Sequence, residues 1–540
     1  MKCHSPIILA TSALIFANPA TADWQFRSRP DLAPPRLNIT IPASAVEPGY
    51  LFLAPFAGLP DTPTAQHGPR QAGPYILRDD GDLVWSGYAI YSIWATNFQA
   101  ARWRGRDVLF SFEGDHNAGY GHGHGHVTIL DQHYETIREL RAGNHKLVDK
   151  HEFHVVNEET GLIQIYQPVP RDLTPWGAEP EQQWIVNAII QEAILPINPG
   201  QAGSGYNSSD AWDYFHINSV DKDDQGNYLI SARDACAVHK INGTDGSILW
   251  RLGGTNSSFA LGDGVDFCFQ HHARWLSQAS DGDDDDGQEV ISLYDNSAHG
   301  TEHDSGGEVH TAPTSSGKII RVDTRTGKAE LVQGFYPPDG LRVDADPAGG
   351  NALVNWGSEG AVTEFAADGT PVFHAYVDSG ALGVGVENYR AFRFNWTGLP
   401  SEEPAIVSLE DAGGTTLYVS WNGDTETKTW RFYEVSDKHG SREFLGEAKR
   451  RSFETSLRVS GRRVNEAVAE AVDERGGVLR GTGIARIEPE VLPITAGKGR
   501  QVPRPKVSEG EPVEGAPGKV KGLWEWSAIW IAGWRKTGDL

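Results

Sequence analysis

Short apolar runs recur along this chain and are closed by Asp-Gly, Asn-Gly or Thr-Gly turns. The run Asp82–Ser86 follows Asp80-Gly81, and Val127–Leu130 and Leu162–Tyr166 come next. Tyr228–Ser231, Ala237–Ile241 and Ile248–Leu252 flank Asn242-Gly243 and Asp245-Gly246. Val290–Tyr294, Ile319–Asp323, Ala352–Trp356, Ala361–Phe365 and Pro371–Tyr376 continue the pattern past Thr326-Gly327 and Asp368-Gly369. Runs of this length between turn dipeptides read as strands. A helical period shows only weakly, around Trp184–Leu195. The repeat of strand, turn and strand over some 350 residues predicts an all-β chain folded as a β-propeller. Radial closure leaves few exposed strand edges. An array of β-sandwiches would carry a similar pattern. After Pro400 the alternation sharpens in Thr415–Trp421 and Thr429–Val435, which predicts a small β-sandwich of the fibronectin type or a last blade.

Composition supports turns and aromatic packing. The 540 residues include 61 Gly, 31 Pro and 17 Trp. The formal net charge of −25 repels phosphate backbones and speaks against a nucleic-acid partner. Lys2, the apolar Pro6–Phe16 and Ala20-Thr21-Ala22 read as a secretory signal over 1–22, which predicts a secreted, extracellular protein. Sequons at Asn38, Asn207, Asn242, Asn256 and Asn395 agree with that as glycosylation sites. Loss of the signal leaves only Cys236 and Cys268, which an oxidising compartment would join at roughly 3 kcal/mol; two free thiols are the alternative. The domain reading is a propeller over 23–400, a sandwich module over 401–486, and a flexible linker with a Trp-rich tail over 487–540. The tail segment GLWEWSAIWIAGW is too short to span a membrane and suits surface docking or a weak membrane-interface contact.

Four segments place His, Asn and Arg among apolar neighbours. They are Asp149–Phe153, Trp212–Ser219, Ser231–Asp234 and Phe269–Arg274. In a propeller one strand of each blade lines the axis, so distant segments converge there. Imidazole serves as nucleophile, base or acid near neutral pH, and guanidinium grips an oxyanion with two donors. We expect His151, His216, Arg233 and His271 in one axial cavity with Tyr389 and Arg390 at its rim. His122, His124 and His126 alternate with Gly, and Asp281–Asp286 form an acidic run. Close backbone approach and a solvated hairpin tip account for these, and no metal or cofactor is expected.

The chain resembles the arylsulfotransferase family, in its secreted fungal-type branch. The resemblance rests on FRSRPDLAPP, on LISARDACAVHKINGTDGSILWRLGG, and on FCFQHHARWL and LYDNSAHG. It continues through WGSEGAVTEF, YRAFRFNW and YVSWNGDTETKTWRFY. It implies a six-bladed propeller that moves a sulfuryl group from a phenolic sulfate ester to another phenol without a nucleotide donor, through a sulfohistidine. His216 and His271 match sulfate-binding histidines and are the implied catalytic pair. Asn218, Arg233 and His272 join His151, Tyr389 and Arg390 as implied substrate contacts. Two family positions differ. An Arg is expected after Asp295-Asn296, where Ser297-Ala298-His299-Gly300 stands, and the nucleophilic His near Gly357–Ala361 is replaced by Ser358-Glu359-Gly360. A propeller that only binds an anionic or aromatic ligand in its channel is the alternative function. A quinone-dependent dehydrogenase ranks last because no Cys-Cys pair is present.

Overall fold

The computed structural model describes residues 24–57, 69, 71–91, 94–116, 121–142, 146–156, 158, 160–188, 206, 208, 211–276, 287–299, 309–338, 350–357, 359–377, 386–436, 441–489 and 530–531. The signal segment, Asn207, the acidic run 281–286, and most of the linker and tail lie outside these residues. Among the described residues there is no α-helix, only a single 3-10 turn at Thr174–Trp176.

Five antiparallel sheets arrange as propeller-like blades. Blade 1 orders Phe392–Phe394, Tyr50–Leu53, Tyr75–Leu77 and Leu83–Ser86; blade 2 runs Trp94–Trp103, Arg106–Gly114, Gly125–Leu130 and Thr136–Leu140. Blade 3 is Ile217–Lys222, Tyr228–Ala232, Ala237–Ile241 and Ile248–Gly253. Blade 4 runs His271–Trp275, Gln288–Asp295, Ser316–Asp323 and Lys328–Phe335, with Ala260–Leu261 added in parallel. Blade 5 is Ala352–Trp356, Ala361–Phe365, Pro371–Val377 and the N-terminal strand Leu37–Ile41. Two hairpins, Phe153–Val156 with Thr160–Ile163 and Tyr166–Pro170 with Trp184–Ala188, lie between blades 2 and 3 in sequence.

Closure uses both ends of the propeller chain. The early strand Leu37–Ile41 completes blade 5, while the late strand Phe392–Phe394 pairs with Tyr50–Leu53 in blade 1. Neither blade can form until residues over 300 apart in sequence meet, which couples the termini to the core. Their shared core includes Phe52, Trp85, Phe98, Val362, Phe373 and Phe392. Strand sequences such as YLISA and AVHKI are buried on both faces, as neighbouring blades require.

The C-terminal region is a nearly closed sheet. Its order is Ser441–Lys449, Thr429–Ser436, Glu466–Val472, Ala485–Pro489, Ala405–Asp411, Gly414–Ser420 and Glu454–Ser460, with Val478–Gly481 on the third strand. The end strands touch, and Trp421, Trp430 and Phe432 fill the interior. Ala485–Pro489 pairs with Ala405–Asp411, so the sheet continues past the expected boundary at 486. The sheet is fastened to blade 1. Asn422 accepts from the Ser86 amide at 2.8 Å and donates to its carbonyl at 3.0 Å. Gly423 has φ +94, and a Cβ there would lie 2.3 Å from the Tyr134 ring. From the tail, the backbone of Trp530–Ile531 pairs antiparallel with Asn355 and Val354 of blade 5.

Candidate functional site

The inner strands of blades 2, 3 and 4 each carry a register shift, at Thr96/Gln99, Ile217/Ser219 and His271/Arg274. Left-handed residues accompany each irregularity: Asn97 at φ 55, His216 at 48 and His272 at 55. Bulges re-aim side chains. Here they fall at polar positions, Asn97, His216 and His272.

Three imidazoles are anchored through the same ring atom. His216 Nδ1 lies 2.7 Å from Asp213 Oδ2, and its backbone N–H donates to Asp213 Oδ1 at 3.0 Å. His151 Nδ1 bonds Asp149 Oδ1, and Asp149 also accepts from the Gly123 amide at 2.8 Å. His271 Nδ1 sits 2.5 Å from Asn296 Oδ1. A carboxylate or amide oxygen can only accept, so each Nδ1 carries a hydrogen. The His151 and His216 rings are 5.2 Å apart and nearly perpendicular. All three residues are buried.

Electrostatics disfavour the protonated form of His151 and His271. Burial, then the Arg233 guanidinium, then His216 and His151 hold His271 well below the usual imidazole range. Burial lowers His151 to about 3 although Asp149 opposes it. Burial pushes Asp213 up, but His216 and His122 outweigh that and leave the carboxylate below its ordinary range. Asp149 is likewise held low, with His151 and His122 against burial. His239 is lowered to about 4 by burial and Arg251. A folded pKa below the unfolded one gives stability that is complete above the unfolded value and lost as pH falls towards the folded value. Thermal stability is therefore expected to decline as pH drops from about 6.5 towards 4, as the unfolded chain takes up imidazole protons the fold refuses. Melts at pH 8, 6 and 4.5 measure this, and a flat melting temperature across them would contradict it.

Arg233 follows the strand Tyr228–Ala232 and donates its backbone N–H to the His216 carbonyl at 3.0 Å. Its Nη1 bonds Asp234 at 2.7 Å and its guanidinium lies 5.2 Å from the Phe269 ring centroid. The disulfide Cys236–Cys268 is formed, with Cα atoms 4.3 Å apart. It joins the segment after Arg233 to the one before His271, so both groups are held across the blade 3–blade 4 seam.

Other expected contacts serve the frame instead. Arg390 does not sit at a rim: it is 1% exposed, and its Nη1 donates to Asn97 Oδ1 at 3.0 Å and Glu152 Oε1 at 3.2 Å. Glu152 also binds Arg274 at 2.6 Å, so one buried carboxylate ties two guanidiniums from different blades. Asn218 donates to the Gln270 carbonyl at 2.8 Å, bracing blade 3 on blade 4. His272 turns away from His271, packs near Phe392 and has no hydrogen-bond partner on either ring nitrogen. Burial followed by Arg274 and Arg390 lowers its pKa. Tyr389 is also buried rather than at a rim, its ring 5.7 Å from that of His151. Exposed Asn38, Asn256 and Asn395 and half-buried Asn242 carry the described sequons.

Sequence reasoning missed the orienting partners Asp213, Asp149 and Asn296, although Asp-x-His and Asp-x-x-His spacings were visible. It set His122 aside as part of a Gly-rich strand, yet the His122 Nε2 reaches Asp213 Oδ2 at 2.8 Å while its ring stacks on Tyr166 at 4.2 Å. His122, Asp213 and His216 are the one group of metal-type ligand atoms within 4.8 Å among the described residues. The donor set suits a zinc-type cation, and the same atoms here form a carboxylate bridging two rings. His126 instead faces Glu113 at 3.6 Å and His124 is exposed. Gly125 lies where a Cβ would meet the Glu113 carbonyl at 2.1 Å, so backbone approach explains that glycine.

A family model described as Arylsulfotransferase (ASST) matches residues 99–198 and 194–378, more than half of the chain. The chain belongs to the arylsulfotransferase family. The match covers most of blade 2, blades 3 and 4 and most of blade 5, and with them every imidazole of the cluster. No curated protein matches significantly. Solved structures similar in part include a protein of unknown function from Bacteroides caccae, at 8% identity and TM-score 0.28, covering 63% of this chain and 97% of that one. A protein from Lactobacillus plantarum shows 9% identity and TM-score 0.21, with 76% and 99% covered. The GH43 BlXynB protein from Bacillus licheniformis shows 10% identity and TM-score 0.21, with 72% and 89% covered. Likenesses this low carry no argument about activity.

Proposed function

We propose that this arylsulfotransferase-family protein binds aryl sulfate esters at the His151–His216–His271 cluster and transfers their sulfuryl group without a nucleotide donor. The observation that supports this most is the shared anchoring of three Nδ1 atoms on acceptor oxygens, with Arg233 bonded to the His216 backbone and acting on His271. In this reading Arg233 donates to the sulfate oxygens and neutralises them, while the neutral rings of His271 and His151 line the site without donating to the ester. His216 is the nucleophile, because Asp213 stabilises the imidazolium charge that develops when Nε2 attacks sulfur. The S–O(aryl) bond breaks and its electron pair leaves with the phenolic oxygen. A second phenol then takes the sulfuryl group from Nε2.

The exposed Glu359, in the segment where the family's nucleophile is expected, favours a second reading in which the ester is bound and not turned over. Incubation with p-nitrophenyl sulfate and phenol separates the two. We expect slow phenyl sulfate formation in wild type and at least tenfold weaker ester binding in Arg233→Met; binding without any phenyl sulfate supports the second reading. Ester binding that ignores Arg233 overturns both.

The fold reading extends the same way. The two hairpins over 153–188 serve as a sixth blade, since Phe153 packs with blade 2 while Tyr166 and Val186 pack with blade 3. The C-terminal sheet is read as a fibronectin-like sandwich module. The signal-like start, the exposed sequons and the disulfide support a secreted, glycosylated protein of the fungal-type branch, with the Trp-rich tail as its weak membrane-interface contact.

A further inference from the structure

Beside the imidazole cluster lies a second buried cation that the sulfate reading leaves unused. Lys150 is 5% exposed. Its Nζ stands 5.5 Å from the Trp94 ring centroid, 5.1 Å from that of Tyr389 and 3.2 Å from His116 Nδ1. His116 stacks on Trp94 at 4.7 Å with the planes 14° apart, and Phe56 meets Trp94 edge-on at 5.1 Å. Lys150 and His151 are neighbours in sequence, and both approach the ring of Tyr389. Gly123 keeps the seam tight, because a Cβ there would lie 3.0 Å from Lys150 Cβ.

An ammonium group taken out of water is expensive unless its surroundings favour the charge. Aromatic faces do so, and they also offer flat apolar walls to another ring. Burial, then Lys150 and His151, hold His116 well down, so it faces the ammonium as a neutral acceptor. An aromatic wall, a buried cation and a position next to the sulfuryl-binding cluster together suit an aromatic group that develops negative charge on oxygen.

We propose that Lys150, walled by Trp94 and Tyr389, forms the phenol subsite: it binds the aryl ring and its oxygen and acts as the acid for the departing phenolate. This deepens the sulfuryl-transfer reading and rests on it for the chemical step. As the S–O(aryl) bond breaks, the electron pair stays on the aryl oxygen, and one Nζ proton moves to that oxygen. Phenol leaves and Lys150 is left as the neutral amine. The acceptor phenol returns a proton to Nζ as its oxygen attacks the sulfuryl group, so the lysine ends as it began. The residue therefore prefers phenols of high pKa, which need the proton, over nitrophenols, which do not.

The test reads binding apart from turnover. The ionisation of p-nitrophenol bound to the intact protein is followed by its phenolate absorbance. In wild type the bound phenol should ionise with an apparent pKa at least one unit below the free value, a tenfold shift. Lys150→Met should abolish the shift, and Lys150→Arg, which keeps the charge, should retain most of it. An unshifted pKa in wild type, or a shift that persists in Lys150→Met, overturns the subsite. Turnover gives a second measure: Lys150→Met should slow phenyl sulfate cleavage at least tenfold more than p-nitrophenyl sulfate cleavage, and equal losses overturn the acid role. If wild type transfers no sulfuryl group yet shifts the bound phenol, the transfer reading fails and the subsite stands.

Discussion

His216→Ala should remove sulfuryl transfer altogether, a loss of about 10³-fold or more, while aryl sulfate ester is still bound. The variant deletes the imidazole whose anchoring carboxylate, Asp213, also takes His122; the double tie of ring and backbone to one Asp is shared with His151. Arg233, on the same blade, and His271, across the disulfide-joined seam, would remain, so the ester keeps its electrostatic partner Arg233. Asp213→Asn should be nearly as severe, about 10²–10⁴-fold, for a specific reason. Asp213 Oδ2 accepts from both His122 and His216, and Oδ1 accepts from the His216 amide. An Asn has one acceptor oxygen for these demands, and its NH₂ must face a donor. Either His216 loses its anchor or its ring tautomer flips and the Nε2 lone pair is lost. Mass analysis of protein quenched during turnover should show a sulfuryl adduct in wild type and none in His216→Ala. Undiminished transfer in His216→Ala would sink the assignment.

Fold class was legible because strand signals are local. Asp-Gly and Thr-Gly turns at 245–246, 326–327 and 368–369 fix hairpins whatever the rest of the chain does, and each strand between them was found close to its expected place. Closure was not legible. Nothing near Leu37–Ile41 says that it completes the sheet of Pro371–Val377, because that pairing is a property of the closed ring. The site shows the same division. His216 and His271 could be named from their neighbours, and the disulfide from the count of cysteines. Arg390 and Asn218 carry the same polar-among-apolar signature, yet they brace blades. A polar residue at a strand end facing the axis reads alike in sequence whether its partner is a substrate or a buried Glu from another blade. Only the positions of Glu152 and Gln270 separate the two cases, and those are set by packing over more than fifty residues of chain.

That distinction gives the largest expected effect on stability. Glu152→Ala should destabilise the propeller by about 3–5 kcal/mol, because Arg274 and Arg390 would then be buried without their shared carboxylate. Burial pushes Glu152 up, but the two guanidiniums overcome it and hold the carboxyl below its ordinary range. The stability it contributes is therefore present above the usual carboxylate range and lost as pH falls below it. Glu152→Gln retains one acceptor oxygen and the side chain's shape, and should cost less than the Ala variant. Its folded form should bind aryl sulfate ester as wild type does, since Glu152 points to Arg274, Arg390 and the Val220 amide and not to the imidazole cluster. Denaturant melts measure the first effect and ester titration the second. A Glu152→Ala protein within about 1 kcal/mol of wild type would mean that the carboxylate is not the tie between blades. Loss of ester binding in well-folded Glu152→Gln would return Arg390 to the substrate.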